Sequence, residues 1–183
     1  DLMEGVSSEA ASLAGHLRLG RLLYLYDDNR ITIDGGTELS FTEDRAARFE
    51  AYGWQILRVE DGNDVAAVDR ALTSAKQDSR PSLILCRTHI GYGLPTKQDK
   101  SSAHGEPAGD EELDGAKKKL GWPVQPRFLI PDDVRQVFGA AARRGQQARQ
   151  AWLELFGRYR KEHAALTTQL SRALDGALPA DLA

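Results

Sequence analysis

The sequence predicts an α/β domain with a largely parallel sheet, followed by a helical segment. Three observations carry that prediction. Short continuous apolar runs end abruptly in polar loops, as strands buried on both faces do. Stretches of helical periodicity separate those runs, which is the pattern of strands linked by covering helices. Beyond a proline-bearing connection, apolar residues recur only at helical spacing. A length of 183 residues accommodates one domain with a real core, or one domain plus an appendage.

The elements follow in order. Leu2 to Leu19 reads as a helix rich in Ala, Ser and Gly, with apolar positions at Val6, Ala10, Leu13, Ala14 and Leu17. So many small side chains suit a helix packed tightly against something large or against another backbone, and Gly20 is expected to end it. Leu22 to Tyr26 is a strand expected to be buried on both faces, stopping at Asp27-Asp28-Asn29. Gly35-Gly36 marks a turn in the next loop. Thr42 is placed to cap a helix whose first turn holds Glu43 and Asp44, where the helix dipole favours anions. That helix carries Ala46, Phe49, Ala51 and Tyr52 and ends at Gly53. Trp54 to Val59 forms the second strand. Asn63 or Asp64 caps a third helix with Val65, Val68, Ala71, Leu72 and Ala75 on its apolar positions. Pro81 introduces the third strand, Ser82 to Cys86. A long loop rich in Gly, Pro, Ser and Lys spans Thr88 to Asp110, and loops of that length are commonly functional. A short helix near Glu111 to Leu120 leads into an extended link from Trp122 to Pro131. The remainder is helical, with Ala148, Trp152, Leu155, Phe156 and Tyr159 on one face, then Leu166, Leu170, Ala173 and Leu174, before Gly176 and Pro179. A stripe of this kind on a charged helix needs another body to cover it.

Composition narrows the function. Hydrophobic residues are 41% and charged residues 28%, an ordinary globular balance. The net charge is −3 and no basic stripe is visible, so nucleic acid is not an expected partner. No apolar stretch reaches the length of a bilayer span, and no signal peptide opens the sequence, so no membrane association is expected. The single cysteine, Cys86, lies in an apolar run and reads as a small buried hydrophobe, in keeping with a reducing cytoplasmic setting. The opening Asp1-Leu2-Met3-Glu4-Gly5 enters a helical pattern almost at once, as expected of an excised piece.

In parallel α/β sheets ligands bind beyond the carboxyl ends of the strands. The loops after Tyr26 and Cys86 are therefore where chemistry is expected. In the first, Asn29 offers a carboxamide oxygen and Ile31, two residues on, a main-chain carbonyl. A magnesium ion holding a diphosphate takes such oxygens together with phosphate and water. The ordinary alternative is an Asx turn that ends a strand. In the second, the imidazole of His104 could hydrogen-bond phosphate or move a proton near neutral pH, or could be a plain surface-loop histidine. His89, beside Ile90-Gly91-Tyr92-Gly93, is a weaker candidate of the same kind, whereas His16 and His163 sit in helical stretches. Glu4 and Glu9 would differ in heading by about 140° on a regular helix. They do not form a paired site within one chain, and could line an interface with a symmetry mate or simply be solvated.

Several of these stretches, taken together, resemble the transketolase family in order and spacing. They are the run from Leu2-Met3-Glu4-Gly5 to Gly15-His16-Leu17, Tyr26-Asp27-Asp28-Asn29-Arg30-Ile31-Thr32-Ile33-Asp34-Gly35, Phe49-Glu50-Ala51-Tyr52-Gly53-Trp54, Ile90-Gly91-Tyr92-Gly93, His104-Gly105, Leu120-Gly121-Trp122 and Leu178-Pro179. The resemblance covers the whole chain. It implies a partial thiamine-diphosphate-binding α/β domain of the diphosphate-binding type over residues 1–125. Residues 126–183 would be a helical interdomain linker leading to a pyrimidine-binding domain outside this chain. The implied reaction moves a two-carbon ketol unit from a ketose phosphate to an aldose phosphate, as in the pentose phosphate pathway, with thiamine diphosphate and Mg2+ or Ca2+. By position, Asn29 through its side chain and Ile31 through its carbonyl would bind the metal. Ile33 and Ile90 would contact the thiamine. His104 would touch the cofactor diphosphate and the donor sugar. Glu4 and Glu9 would link the two cofactor sites of a homodimer, Glu4 lying next to the cofactor. A Gly-Asp-Gly motif, supplying a further metal ligand, would immediately precede Asp1. A glutamate of the partner subunit's pyrimidine-binding domain would activate the cofactor. A dihydroxyacetone synthase-like ketol transferase shares these motifs; a non-catalytic assembly subunit of a split or degenerate enzyme is a reading of another class, against which the intact Asn29, Ile31 and His104 argue.

Overall fold

The computed structural model describes residues 2–178 and divides into two compact units, Asp1–Val124 and Gln125–Ala183. The first unit is built on a three-stranded parallel sheet of order β1-β3-β2, with β1 at Leu23–Asp28, β2 at Gln55–Val59 and β3 at Ser82–Arg87. Helices α1 (Gly5–His16), α2 (Arg45–Ala51) and α3 (Val65–Ala75) cover it, and α4 (Asp110–Lys119) follows the long loop after β3.

The central strand explains its own composition. Leu83 and Leu85 enter one core with Ala11 and Ala14 of α1, Ala46 and Phe49 of α2, and Trp54. Ile84 and Cys86 enter a second core with Ala71 and Ala75 of α3 and with Val59. Alternate residues thus face opposite layers, which is why the run has no polar gap. Phe49 and Trp54 meet edge to face with centroids 5.1 Å apart. The indole Nε1 donates to the Ala11 carbonyl at 2.8 Å, tying α1 to the start of β2 without leaving a buried donor unpaired. Fully burying such rings contributes about 3–5 kcal/mol each, measured as the cost of truncation to Ala.

The small residues of α1 have the purpose their composition suggested. A Cβ on Gly15 would lie 1.8 Å from the main-chain oxygen of Tyr52, so α1 rests directly on the backbone that ends α2. That end is a Schellman motif. Gly53 takes φ +85°, its N–H donates to the Glu50 carbonyl, and the Trp54 N–H donates to the Phe49 carbonyl.

Some boundaries differ from the expectation. The cap of α2 is Asp44, whose carboxylate accepts from the Ala47 N–H at 3.1 Å, rather than Thr42. At α3, where either Asn63 or Asp64 was expected, Asp64 caps in the same way. At the end of α1 the left-handed residue is Arg18, at φ 50°, while Gly20 is small because a Cβ there would meet the Ser79 carbonyl oxygen at 2.6 Å. Strand β1 is not buried on both faces. It pairs only with β3 among the described residues, and Tyr24 and Leu25 remain 40% and 53% exposed.

The second unit consists of α5 (Asp132–Glu162) and α6 (Ala164–Leu174), which break at His163. The His163 carbonyl accepts from both the N–H and the hydroxyl of Thr167, each at 2.9 Å, and so starts α6. Trp152 and Phe156 stack along α5 at 5.7 Å, as helical spacing requires. The Leu178-Pro179 stretch of the sequence lies only in part within the described residues. Among those residues, no helix is long and apolar enough to cross a membrane.

Candidate functional site

Parallel strands deliver their carboxyl ends to one edge of a sheet, and the register here makes that concrete. Asp27 pairs with Cys86 and Asp28 with Arg87, so the loops beginning at Asn29 and Thr88 leave the sheet side by side. The two loops are stitched at their roots. The Thr88 hydroxyl donates to the Asp27 carboxylate, and the Arg87 guanidinium donates to the Asp28 carbonyl at 2.9 Å.

The first loop is a compact hairpin. The Asn29 N–H donates to the Asp27 carbonyl, Asn29 Oδ1 accepts from the Ile31 N–H at 2.9 Å, and Arg30 takes φ 64°. This is the Asx turn foreseen as the ordinary reading. Ile31 then faces Gly36 in an antiparallel bridge flanked by bonds from Thr32 N–H to the Gly35 carbonyl at 2.7 Å and from Thr37 N–H to the Arg30 carbonyl at 3.0 Å. Because those bonds lie on either side of the pair, the Ile31 carbonyl is turned away from Gly36. It accepts no hydrogen bond among the described residues. Asn29 Oδ1, with one lone pair engaged, retains a second.

The second loop returns to the same place. A 3-10 turn at Ser101–Ala103 places His104, whose N–H donates to the Ser101 carbonyl at 2.8 Å. Asn29, Ile31 and His104 thereby line one cavity of about 470 Å³, together with Leu2, Met3 and Asp27. Asn29 and Ile31 are half-buried and the His104 ring is exposed. The tyrosines of β1 were not anticipated here, yet Tyr24 and Tyr26 also line the cavity. Burial pushes the Tyr26 phenol up, helped by the charges of Asp28 and Glu43 and opposed by Arg45 and Arg48. Arg45 sits 5.7 Å from the Tyr26 ring centroid and 5.5 Å from that of Phe41, and pairs with Asp28 at 3.2 Å. Burial likewise raises the Cys86 thiol, with the Asp27 charge adding to it.

The remaining expected residues are not part of this cavity's wall. Ile33, 70% exposed, sits on the hairpin. Ile90 is half-buried in the turn after β3. Glu4 precedes the first turn of α1, where its main-chain carbonyl, not its carboxylate, accepts from Ser7. Glu9 borders a shallow depression with Ser12, Leu13 and His16, so the two carboxylates are both exposed and do not share a site within this chain. His89 is held by Asp99, with Nδ1 2.9 Å and 3.0 Å from the two carboxylate oxygens. Burial alone would raise the Asp99 carboxyl. Its hydrogen bonds from His89 and Gln98, with the charges of His89 and Arg87, hold it below the ordinary range instead. No spacing rule links positions ten residues apart across an irregular loop, so this pair was invisible in the sequence.

Residues 1–179 match the family described as transketolase, thiamine diphosphate binding domain. The chain belongs to the transketolase family. Among curated relatives, the transketolase of Geobacillus stearothermophilus is 49% identical over 181 residues, covering 98% of this chain and 27% of that protein. Transketolase 2 of Escherichia coli is 47% identical with the same coverage. Among solved structures, transketolase from Leishmania mexicana superposes with a TM-score of 0.84 at 38% identity, and Pichia stipitis transketolase in complex with sedoheptulose-7-phosphate with 0.83 at 41%. Each of these two alignments covers 98% of this chain and 27% of the other. The transketolase-family chain thus spans about a quarter of the length of the relatives it matches.

The donors at the cavity suit a hard cation bound chiefly through a diphosphate. They are a carboxamide oxygen with a lone pair to give, an unengaged main-chain carbonyl and one nearby carboxylate, Asp27. Among the described residues there is no cluster of three or more His, Cys, Asp or Glu that could hold a metal.

Proposed function

We propose that this chain is the diphosphate- and metal-binding part of a transketolase that transfers a two-carbon ketol unit between sugar phosphates. The observation that carries the reading is the convergence of Asn29, Ile31 and His104 on one cavity at the carboxyl edge of the sheet, in a chain of the thiamine-diphosphate-binding family. When bound, thiamine diphosphate supplies the nucleophilic carbon and the electron sink for cleaving a carbon–carbon bond next to a carbonyl. The protein's part is to hold, orient and manage protons.

Asn29 Oδ1 and the Ile31 carbonyl would hold Mg2+ or Ca2+ against the diphosphate. The Asx turn and the Ile31–Gly36 bridge fix both oxygens before any ligand arrives, which lowers the ordering cost of binding. Ile33 and Ile90 would shield the thiamine from water. His104, exposed on a short loop, would hydrogen-bond phosphate and hold or move a proton at the donor sugar. Glu4 and Glu9 would face a second subunit in a homodimer, Glu4 next to the cofactor. Residues 1–125 would be part of the diphosphate-binding domain, and residues 126–183 the linker to a pyrimidine-binding domain. The division of the chain after Val124 supports that boundary. A cytoplasmic place in the pentose phosphate pathway follows from the same reading.

Replacing Asn29 with Ala in the full-length protein tests the metal assignment. Loss of a ligand oxygen should weaken thiamine diphosphate binding about tenfold at limiting magnesium, with partial recovery at high magnesium. Cofactor affinity indifferent to both the substitution and magnesium would remove the assignment.

A further inference from the structure

We infer that Arg48 is a positioning residue for the candidate cofactor site, holding its wall from behind without lining it. The inference rests on the cofactor reading above. One guanidinium joins three separate stretches: it donates to the Leu2 carbonyl at 3.0 Å and to the Ser8 hydroxyl at 2.5 Å, and it pairs with the Glu43 carboxylate at 2.8 Å. The flat face lies 5.5 Å from the Phe49 ring centroid, so the fork is aimed by a buried aromatic of the core. Leu2 and Met3 form part of the cavity wall together with Asn29 and Ile31, and Ser7, next to Ser8, lines it too. Arg48 does not line it.

The chemistry favours positioning over simple stabilisation. Leu2 is buried, and a buried carbonyl needs a donor; among the described residues Arg48 supplies it. The residue also carries a cost: its Nε is buried and finds no partner among the described residues. An apolar side chain could cover Phe49 without that penalty. Only a rigid, multi-donor group can grip a carbonyl ahead of α1, a hydroxyl in its first turn and a carboxylate ahead of α2 at once. Lysine offers a compact point charge and cannot span these partners. Without the fork, the segment entering α1 would lose its fixed height over the Asn29–Ile31 turn.

The test compares Arg48→Lys with the unaltered full-length protein. Thiamine diphosphate affinity is read by tryptophan fluorescence at limiting Mg2+, alongside the apparent KM for cofactor, kcat at saturating cofactor and the apo melting temperature. Affinity should fall about tenfold and the apo melting temperature by a few degrees, since the Leu2 carbonyl loses its donor, while kcat at saturation stays within about twofold. Unchanged affinity in a folded variant, or a fall in kcat with no change in cofactor KM, overturns the inference. Should Arg48→Lys fail to fold, Ser8→Ala decides, since it removes one partner hydroxyl and nothing from the core. A loss of about threefold in affinity supports the role, and no loss overturns it. Asn29→Ala separates the two layers of the argument. If it weakens cofactor binding and Arg48→Lys does not, only the Arg48 role falls. If neither does, the cofactor site itself falls.

Discussion

Asn29 engages one lone pair of its amide oxygen with the Ile31 N–H, so the residue that would hold a cation also builds the turn that aims it. The sequence left two readings of Asn29 open, an Asx turn and a metal ligand. The geometry makes them compatible, because the same oxygen can do both. His104 is different in kind. It is exposed, its side chain packs in neither core, and its place depends on a short 3-10 turn. His104→Ala in the full-length protein should therefore lower turnover about a hundredfold, the lower range for a lost proton-transfer group, with the melting temperature unchanged. Equal turnover in the variant would make His104 a bystander. What the sequence did not disclose at this scale were the groups acting through other groups. Arg48 and Asp99 draw their importance from partners far away along the chain or across an irregular loop, and residue type alone does not specify such partners.

At the scale of elements, periodicity carried the strands and helices, and capping chemistry decided their ends less reliably. Thr42 and Asp44 are both good caps, and only the backbone path makes Asp44 the one whose side chain meets an open N–H. The composition of α1 was legible because a helix of Ala, Ser and Gly can serve only close approach. Gly15→Ala should destabilise by about 2 kcal/mol: overpacking against the Tyr52 backbone costs about 3, and better helix propensity returns about 1. Arg18→Gly, three residues on, should do the reverse. Its left-handed backbone costs a non-glycine residue about 1–2 kcal/mol, and glycine's extra unfolded-state freedom offsets about 0.5–1, leaving a gain of about 0.5–1 kcal/mol. Urea denaturation of the pair checks both signs; equal midpoints would refute the account of how α1 ends.

At the scale of the whole molecule, the α/β class and the parallel sheet were legible because β3 is buried on both sides and says so in its residues. The exposure of β1 was not, because a run of apolar residues does not record how many neighbours it has within one chain. The same gap applies to the second unit. Helix α5 buries none of its residues, and Trp152, Leu155, Val137 and Phe138 are all exposed. Residues 125–183 made alone should gain helicity and sediment faster as concentration rises, because the stripe finds cover in other copies. Circular dichroism independent of concentration in a monomer would contradict this. The open side of β1 has a related meaning for handling the molecule. Along Leu23–Asp28 one row of amides and carbonyls has no strand partner among the described residues, so a truncated product carrying this stretch should be prone to edge-to-edge association, and purification at low concentration, with a capping strand supplied in trans, is the rational safeguard.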